Sequence, residues 1–400
     1  MAIDTPARIA IIGAGPIGIE ATLYARFLGY DVDLYERGEI AEHVRRWGGV
    51  RMFTPWQENV SPLGVAALSG QIEGWQAPPG DTLLTAREMI ERYWLPLAES
   101  DLVVDSLRRG TEVLSVSRQR FLKHEMLHDP ARGDDDFVLL TRDAQGHESL
   151  ATAEVVIDCT GVQGNHRWAG QGGGPALGER SATIEYGIPN WSDDSPEGPR
   201  HSYAGRPVLV IGAGHSAATN VVQLAALDPR PNVTWITRRE LLASATGPID
   251  RVPHDPFPER DRVAQLANDL TTAADSSVTH YQGTSLASIT WDNAQRLYRC
   301  QLVGEHAEVV EVARIIANVG HRADGTLYEP LQVDNCPATG AVRQLDKFPI
   351  LSEPDFYILG SKSAGSDSNF LLSEGREQIR RLFAIIGDRE GLDLYRTIKL

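Results

Sequence analysis

Apolar positions come in short runs, each followed by a glycine-bearing turn and then by a stretch with helical spacing, the alternation expected of βαβ units. The first run, Arg8–Ile12, predicts a buried strand; Ile19 to Leu28 carries a helical pattern ended by Gly29; Tyr30–Tyr35 predicts a second strand closed by Glu36. Ala86–Leu95 predicts a helix starting near Thr85, with Pro96 ending or kinking it. Thr111–Val116 and Asp136–Arg142 predict strands of a meander, and Glu154–Cys159 an apolar strand running into Thr160 and Gly161. From Gly164 to Pro199 the period is lost among Gly, Ser, Pro and Asp, which predicts a linker.

The pattern then restarts. Arg206–Ile211 predicts a strand of the same kind as the first, Ala218–Leu227 a helix and Asn232–Thr237 the next strand. Asp261–Leu270 predicts a helix, Leu286–Trp291, Leu297–Leu302 and Val309–Val312 sheet strands, and Arg314–Val319 an apolar strand running into Gly320. A strand ends at Gly360, and Phe370–Ile386 predicts an amphipathic C-terminal helix.

The glycines between strand and helix give this repeat a chemistry. Gly13, Gly15 and Gly18 stand at G-x-G-x-x-G spacing after the first strand. Gly13 permits the tight turn, Gly15 lets backbone approach a pyrophosphate, and Gly18 lets helix and strand pack closely. Pro16 suits the first helical turn, with Ile17 beside it, and the free N–H groups of the helix end attract phosphate. Glu36, 18 residues after Gly18, is an acceptor for a ribose 2′-OH, with Arg37 next to it. The second unit repeats the turn as G-x-G-x-x-A, through Gly212, Gly214, His215, Ser216 and Ala217. Where the first unit carries Glu36, this one carries Arg238 and Arg239. A carboxylate there favours a free 2′-OH, a guanidinium a 2′-phosphate. The first unit therefore reads as an FAD or NAD site and the second as an NADP site. Solvated strand-end arginines are the bland alternative, as an ordinary helix-start histidine is for His215.

Composition narrows the partners. The chain has 400 residues, 42% hydrophobic and 23% charged, with a net charge of −16. That suits two or three soluble domains and argues against nucleic acid or an anionic membrane as a partner. Cys159, Cys300 and Cys336 form no C-x-x-C pair and no metal spacing. No apolar run reaches the ~18 residues of a membrane helix. The first strand, starting by Arg8, leaves no room for a secretory leader, so a cytoplasmic protein is expected. The loop with Trp47, Gly48, Gly49 and Trp56 is read either as a connection with a hydrophobic plug or as a flat face against a ring system.

Two fingerprints in one chain, acid after the first and arginine after the second, resemble the two-dinucleotide-binding flavoproteins. The resemblance extends to the segment ending at Thr160 and Gly161, to the one ending at Gly320, and to the one ending at Gly360. It implies an α/β fold of two Rossmann-like three-layer domains, the second inserted in the first. The FAD domain would take 1–165 and 325–400, a linker 166–204, and the NADP domain 205–324. It implies that Gly13–Gly18 and Glu36 hold the ADP half of FAD, that Val113 touches adenine through its backbone, and that the helix start near Asn369–Leu372, with Phe370, points at the pyrimidine edge of the flavin. Lys362, Ser363 and Asn369 are the candidates for hydrogen bonds near the ring.

Departures from that family touch both of its branches: the monooxygenase signature F-x-G-x-x-x-H is absent between Thr160 and Arg206. The cysteine pair of the disulfide-reductase branch is absent, and Ser361 stands where an acid is usual. The expected activity is an FAD- and NADPH-dependent oxidoreductase. Its leading form is a monooxygenase that oxygenates a small soft nucleophile, such as an amine or sulfur, through a C4a-peroxyflavin with O2 as electron acceptor. The alternatives are an NADPH reductase serving a quinone, carrier or small acceptor, and a flavin-binding redox sensor with little turnover. A homodimer is left open.

Overall fold

Each apolar run that ends in a glycine turn is a buried parallel strand. The computed structural model describes residues 3, 5–240, 247–343, 351–365, 367 and 369–397. In chain order the strands are β1 (Arg8–Ile12), β2 (Asp31–Glu36), β3 (Leu107–Arg109), β4 (Glu112–Arg118), β5 (Phe137–Arg142), β6 (Glu148–Ala153), β7 (Val155–Asp158), β8 (Val208–Ile211), β9 (Val233–Ile236), β10 (Val278–Tyr281), β11 (Thr284–Asp292), β12 (Leu297–Gly304), β13 (Val309–Val312), β14 (Arg314–Ala317) and β15 (Phe356–Ile358). The longer helices bearing on the sites are α1 (Pro16–Phe27), α2 (His215–Ala225), α3 (Pro258–Asp269) and α4 (Leu372–Ile386).

Two compact units result, one of Met1–Arg45, Thr54–Asn165 and His321–Leu400, the other of Arg46–Phe53 and His166–Gly320. The first holds a five-stranded parallel sheet, in the order β15-β7-β1-β2-β3, and an antiparallel meander, β4-β5-β6. Ala10, Ile12, Val156, Phe356 and Ile358 of the sheet share a core with Val116, Phe137 and Leu139 of the meander. On the sheet's α1 side, Ile17 fills the space beneath Gly360 and Gly375, so α4 docks tightly over α1.

The second unit repeats the plan with a parallel sheet, β10-β9-β8-β14, and a three-stranded antiparallel sheet, β11-β12-β13. Val208, Val210 and Trp235 face one core with α2 and α3; Leu209, Ile211 and Ile315 face another with Leu286, Cys300 and Leu302. β8, buried at all four positions, needs two such faces.

Two expectations change. The stretch 166–204, read as a linker, packs into the second unit: Trp191 and Tyr203 join its core, and Glu185 bridges to Ile316 beside β14. Its apolar residues are too irregularly spaced to show a period. Pro96, expected to end or kink its helix, distorts it without ending it. Thr85 caps Ala86–Met89 with a capping box, Ile90–Trp94 widens to a π-helix, and Leu95–Ala98 continues past the proline. The carbonyl of Arg92, which Pro96 cannot bond, accepts instead from the Trp75 indole N–H (3.1 Å).

Candidate functional site

In the first unit the site is the carboxyl end of β1. Gly13 has φ of +100°, and its N–H donates to the Tyr35 carbonyl at 2.8 Å, so the chain leaves the sheet at once for α1. A Cβ at Gly18 would lie 1.9 Å from the Gly13 oxygen, so only glycine lets α1 pack this close. Gly15 is the opposite case: a Cβ there would meet nothing within 4 Å. With Gly15 as N-cap and Pro16 after it, no side chain caps the first N–H groups of α1. They are left without a side-chain partner, as an anion site requires.

Glu36 is fixed at both oxygens. Its Oε2 accepts from the Ala14 N–H and its Oε1 from the Gly38 N–H, each at 2.8 Å. The carboxylate is thus preorganised at the rim of the turn with lone pairs to spare. Arg37 is exposed and pairs with Glu112 at 3.5 Å. The Thr111 N–H donates to the Glu36 carbonyl (2.9 Å), which brings the half-buried Val113 of β4 alongside.

β7 ends beside the same turn, with the Cys159 N–H donating to the Ile12 carbonyl (2.9 Å). Here stands a polar cluster centred on Asp158, a residue the sequence reading did not single out. Its Oδ1 accepts from the Thr160 N–H (2.9 Å) and hydroxyl (2.7 Å), and its Oδ2 from Lys362 Nζ (2.6 Å). Lys362 also donates to Thr160 Oγ1 (3.0 Å) and lies over the Tyr328 ring at 5.1 Å. Gly161, with φ of +67°, carries the chain out of the strand. Ser363 is committed too. Its hydroxyl donates to the Gly360 carbonyl (2.8 Å) and accepts from Gln378 Nε2 (2.9 Å), while the Gly360 N–H donates to Gln378 Oε1 (2.7 Å). Asn369 is exposed, its N–H on Asp367 (2.9 Å), and Phe370 is half-buried against Gly375. Of the three candidates for hydrogen bonds near the ring, Lys362 and Ser363 are engaged in the fold's own polar network.

The second unit rebuilds the turn. Gly212 has φ of +133°, its N–H donates to the Ile236 carbonyl (3.1 Å), and a Cβ there would lie 2.3 Å from the Asn318 oxygen. A Cβ at Gly214 would meet nothing within 4 Å, and α2 has no side-chain cap. His215 opens α2, half-buried and edge-on to Phe53 at 5.9 Å; burial, then Arg260, lower its pKa against the pull of Asp255. Ser216 is exposed and Ala217 buried. Arg238 and Arg239 stand exposed beyond β9, with no ion pair to either among the described residues. Trp47, whose ring the sequence placed against either core or cofactor, is half-buried in the segment Arg46–Phe53 of this second unit. Val50 and Phe53 of that segment pack on the unit's core.

Behind the turn lies an amide network that no motif announced. Asn220 Nδ2 donates to Asn318 Oδ1 (2.8 Å), Asn318 Nδ2 to the Gly187 carbonyl (2.8 Å), and the Trp191 indole to Asn220 Oδ1 (2.9 Å). An asparagine one residue beyond an apolar strand was the signal available for it.

No protein-family model matches the chain, and no curated protein matches it in sequence. Solved structures do. A bacillithiol disulfide reductase from Bacillus cereus superposes with a TM-score of 0.70 at 15% identity, covering 96% of this chain and 99% of its own. An ornithine N-hydroxylase from Kutzneria sp. 744, bound to reduced FAD, NADP+ and L-ornithine, superposes at 0.66 and 17% identity over 96% and 100%. The fold is that of the two-dinucleotide-binding flavoproteins. A thioredoxin reductase from T. acidophilum extends the likeness, at 0.56 and 16% identity over 97% of each chain. Flavoproteins of this fold thus include reductases and a hydroxylase, and the fold alone does not choose between them.

The thiols bear on that choice. Cys159, Cys300 and Cys336 are all unpaired. Burial pushes the Cys159 thiol well up and that of Cys300 to about 12, whereas hydrogen bonds at Thr339 bring Cys336 down to about 7. Among the described residues no His, Cys, Asp and Glu cluster could hold a metal, and no helix is long and apolar enough to cross a membrane.

Proposed function

We propose that this chain is an FAD-dependent oxidoreductase reduced by NADPH, and that it oxygenates a small soft nucleophile such as an amine or a sulfur compound. The observation that carries the reading is the pair of uncapped, open turns followed by opposite charge, Glu36 after one and Arg238 with Arg239 after the other. The first turn fits the ADP half of FAD. Gly15 leaves room for a pyrophosphate on the N–H groups of α1, and Glu36 offers a fixed acceptor to a ribose. The second fits NADPH, with pyrophosphate on α2 and the 2′-phosphate on Arg238 and Arg239. In this reading the first unit is the FAD domain and the second, carried within it along the chain, the NADP domain.

When bound, FAD supplies the two-electron chemistry: hydride from NADPH reduces it and O2 reoxidises it, with one oxygen atom going to substrate and the other to water. The chain's part is to bind and orient. The uncapped helix ends hold the phosphates, and the Asp158–Lys362–Thr160 cluster fixes the end of β7 beside the first turn. Burial holds the Cys159 and Cys300 thiols protonated, which keeps these two out of disulfide exchange.

A reductase that passes electrons to a quinone, a carrier or a small oxidised acceptor is the second reading, favoured by the likeness to a disulfide reductase. Turnover with NADPH in labelled O2, across a panel of amines and sulfides, separates the two. Oxygen uptake matched by labelled product supports oxygenation. NADPH oxidation that tracks a reducible acceptor and leaves every panel compound unlabelled contradicts it.

A further inference from the structure

The second unit holds a ring pair that neither turn explains. His166 and Tyr186 stack face to face, centroids 3.5 Å apart and planes 11° from parallel. The Tyr186 hydroxyl donates to Glu179 (2.8 Å), a buried carboxylate that also accepts from the Ala169 N–H (2.7 Å) and the Ala176 N–H (2.6 Å). Tyr186 is therefore a rigid, neutral shelf. His166 is fixed at two further edges: Trp168 meets it at a right angle 5.1 Å away, and its Nδ1 lies 2.9 Å from the Arg167 carbonyl. A carbonyl only accepts, so Nδ1 is the donor, and in the Nδ1–H tautomer Nε2 is left as an acceptor. No described group bonds Nε2, and the side chain is only half-buried.

The place of this pair in the sheet gives it a use. Glu185 bridges along the outer side of β14, and its neighbour Tyr186 precedes the Gly187 carbonyl that takes the Asn220 and Asn318 amides. The Arg167 N–H donates to the Gly320 carbonyl (2.9 Å), three residues past β14. Both rings thus stand at the carboxyl end of β14. With the order β10-β9-β8-β14, the strand order switches between β8 and β14, where a dinucleotide crosses. Arg238 and Arg239 lie past β9, on the far side of the turn. A dinucleotide whose 2′-phosphate meets them and whose pyrophosphate meets Gly212–Ala217 has its nicotinamide half on the β14 side.

We propose that His166 Nε2 accepts a hydrogen bond from the carboxamide NH2 of the nicotinamide, so that His166 reads that end of NADPH. The inference rests on the NADPH reading of the second unit. Equilibrium binding to the FAD-loaded full chain tests it, with NADP+ and 2′,5′-ADP, which lacks the nicotinamide, as probes. His166→Phe keeps a flat ring on Tyr186 and removes Nε2; it weakens NADP+ about tenfold and leaves 2′,5′-ADP unchanged. His166→Gln, which restores an acceptor near Nε2, recovers most of the loss. The wild-type chain also binds NADP+ about tenfold more tightly than the 3-acetylpyridine analogue, which has no carboxamide NH2, a comparison that needs no variant to fold. Indifference of the wild type to that change, or an equal loss of both probes in both variants, overturns the inference and leaves the NADPH reading standing. A wild-type chain that binds neither NADP+ nor 2′,5′-ADP overturns both.

Discussion

Lys362 Nζ and the Asp158 carboxylate lie 2.6 Å apart, both sealed from solvent, across 204 positions of sequence. The sequence marked Lys362 as a hydrogen bonder for a cofactor ring, but the structure commits it to a buried ion pair that ties the chain after β15 to the end of β7. Removing one partner of such a pair leaves an uncompensated charge, at a cost of about 3–5 kcal/mol. Lys362→Met should therefore destabilise the protein by about that much in denaturant unfolding, and adding Asp158→Asn should restore part of it. A Lys362→Met protein as stable as the wild type would show that the pair contributes nothing.

Glu36 is expected to govern FAD retention and little else. Its carboxylate is half-buried and already anchored by two N–H groups, so its remaining capacity faces the turn. Glu36→Ala should weaken FAD about tenfold to a hundredfold through loss of a charge-assisted bond, and Glu36→Arg should yield FAD-free protein. Titration of the apoprotein with FAD measures both; yellow Glu36→Arg protein would refute the assignment.

At the second turn the discriminating charge is positive. Arg238→Ala combined with Arg239→Ala should raise the Kd for NADPH about tenfold to a hundredfold and leave NADH nearly unchanged. An unaltered NADPH to NADH ratio would remove the case for a 2′-phosphate site.

Acid should act on the second unit through His280. This residue, on β10, bonds Thr237 Oγ1 at 2.9 Å; burial, then His306, pull its pKa down to about 4. Above the ordinary imidazole value of about 6.5, folded and unfolded chains are both neutral there. Between about 6.5 and 4 the unfolded chain takes the proton and the folded one does not, so stability falls with pH across that window and levels below it. Melting temperatures from pH 7 to 4.5 should drop less for His280→Gln than for the wild type. Equal drops would mean that His280 does not couple folding to pH.

Both turns were legible because their chemistry is local. Gly13 and Gly18 must face each other across one contact, so their spacing shows in any chain built this way. The charge at the end of β2 or β9 is equally local. What escaped were partners that only the fold brings together. Glu353, fully buried, bonds Arg118 at 2.7 Å and Arg132 at 3.0 Å from more than 200 positions away. Short strands escaped as well: β3 and β10, of three and four residues, lie at sheet edges and carry too few buried positions to show alternation. The stretch 166–204 hid its role because its contacts, such as Trp191 on Asn220, follow no period.

The central claim, that this chain carries FAD and takes electrons from NADPH, is tested most directly by a visible spectrum of the purified protein before and after anaerobic addition of NADPH. The account predicts a flavin spectrum that bleaches with one equivalent of NADPH and far more slowly with NADH. A protein that stays colourless even after incubation with FAD, or whose bound flavin NADPH cannot bleach, would contradict it.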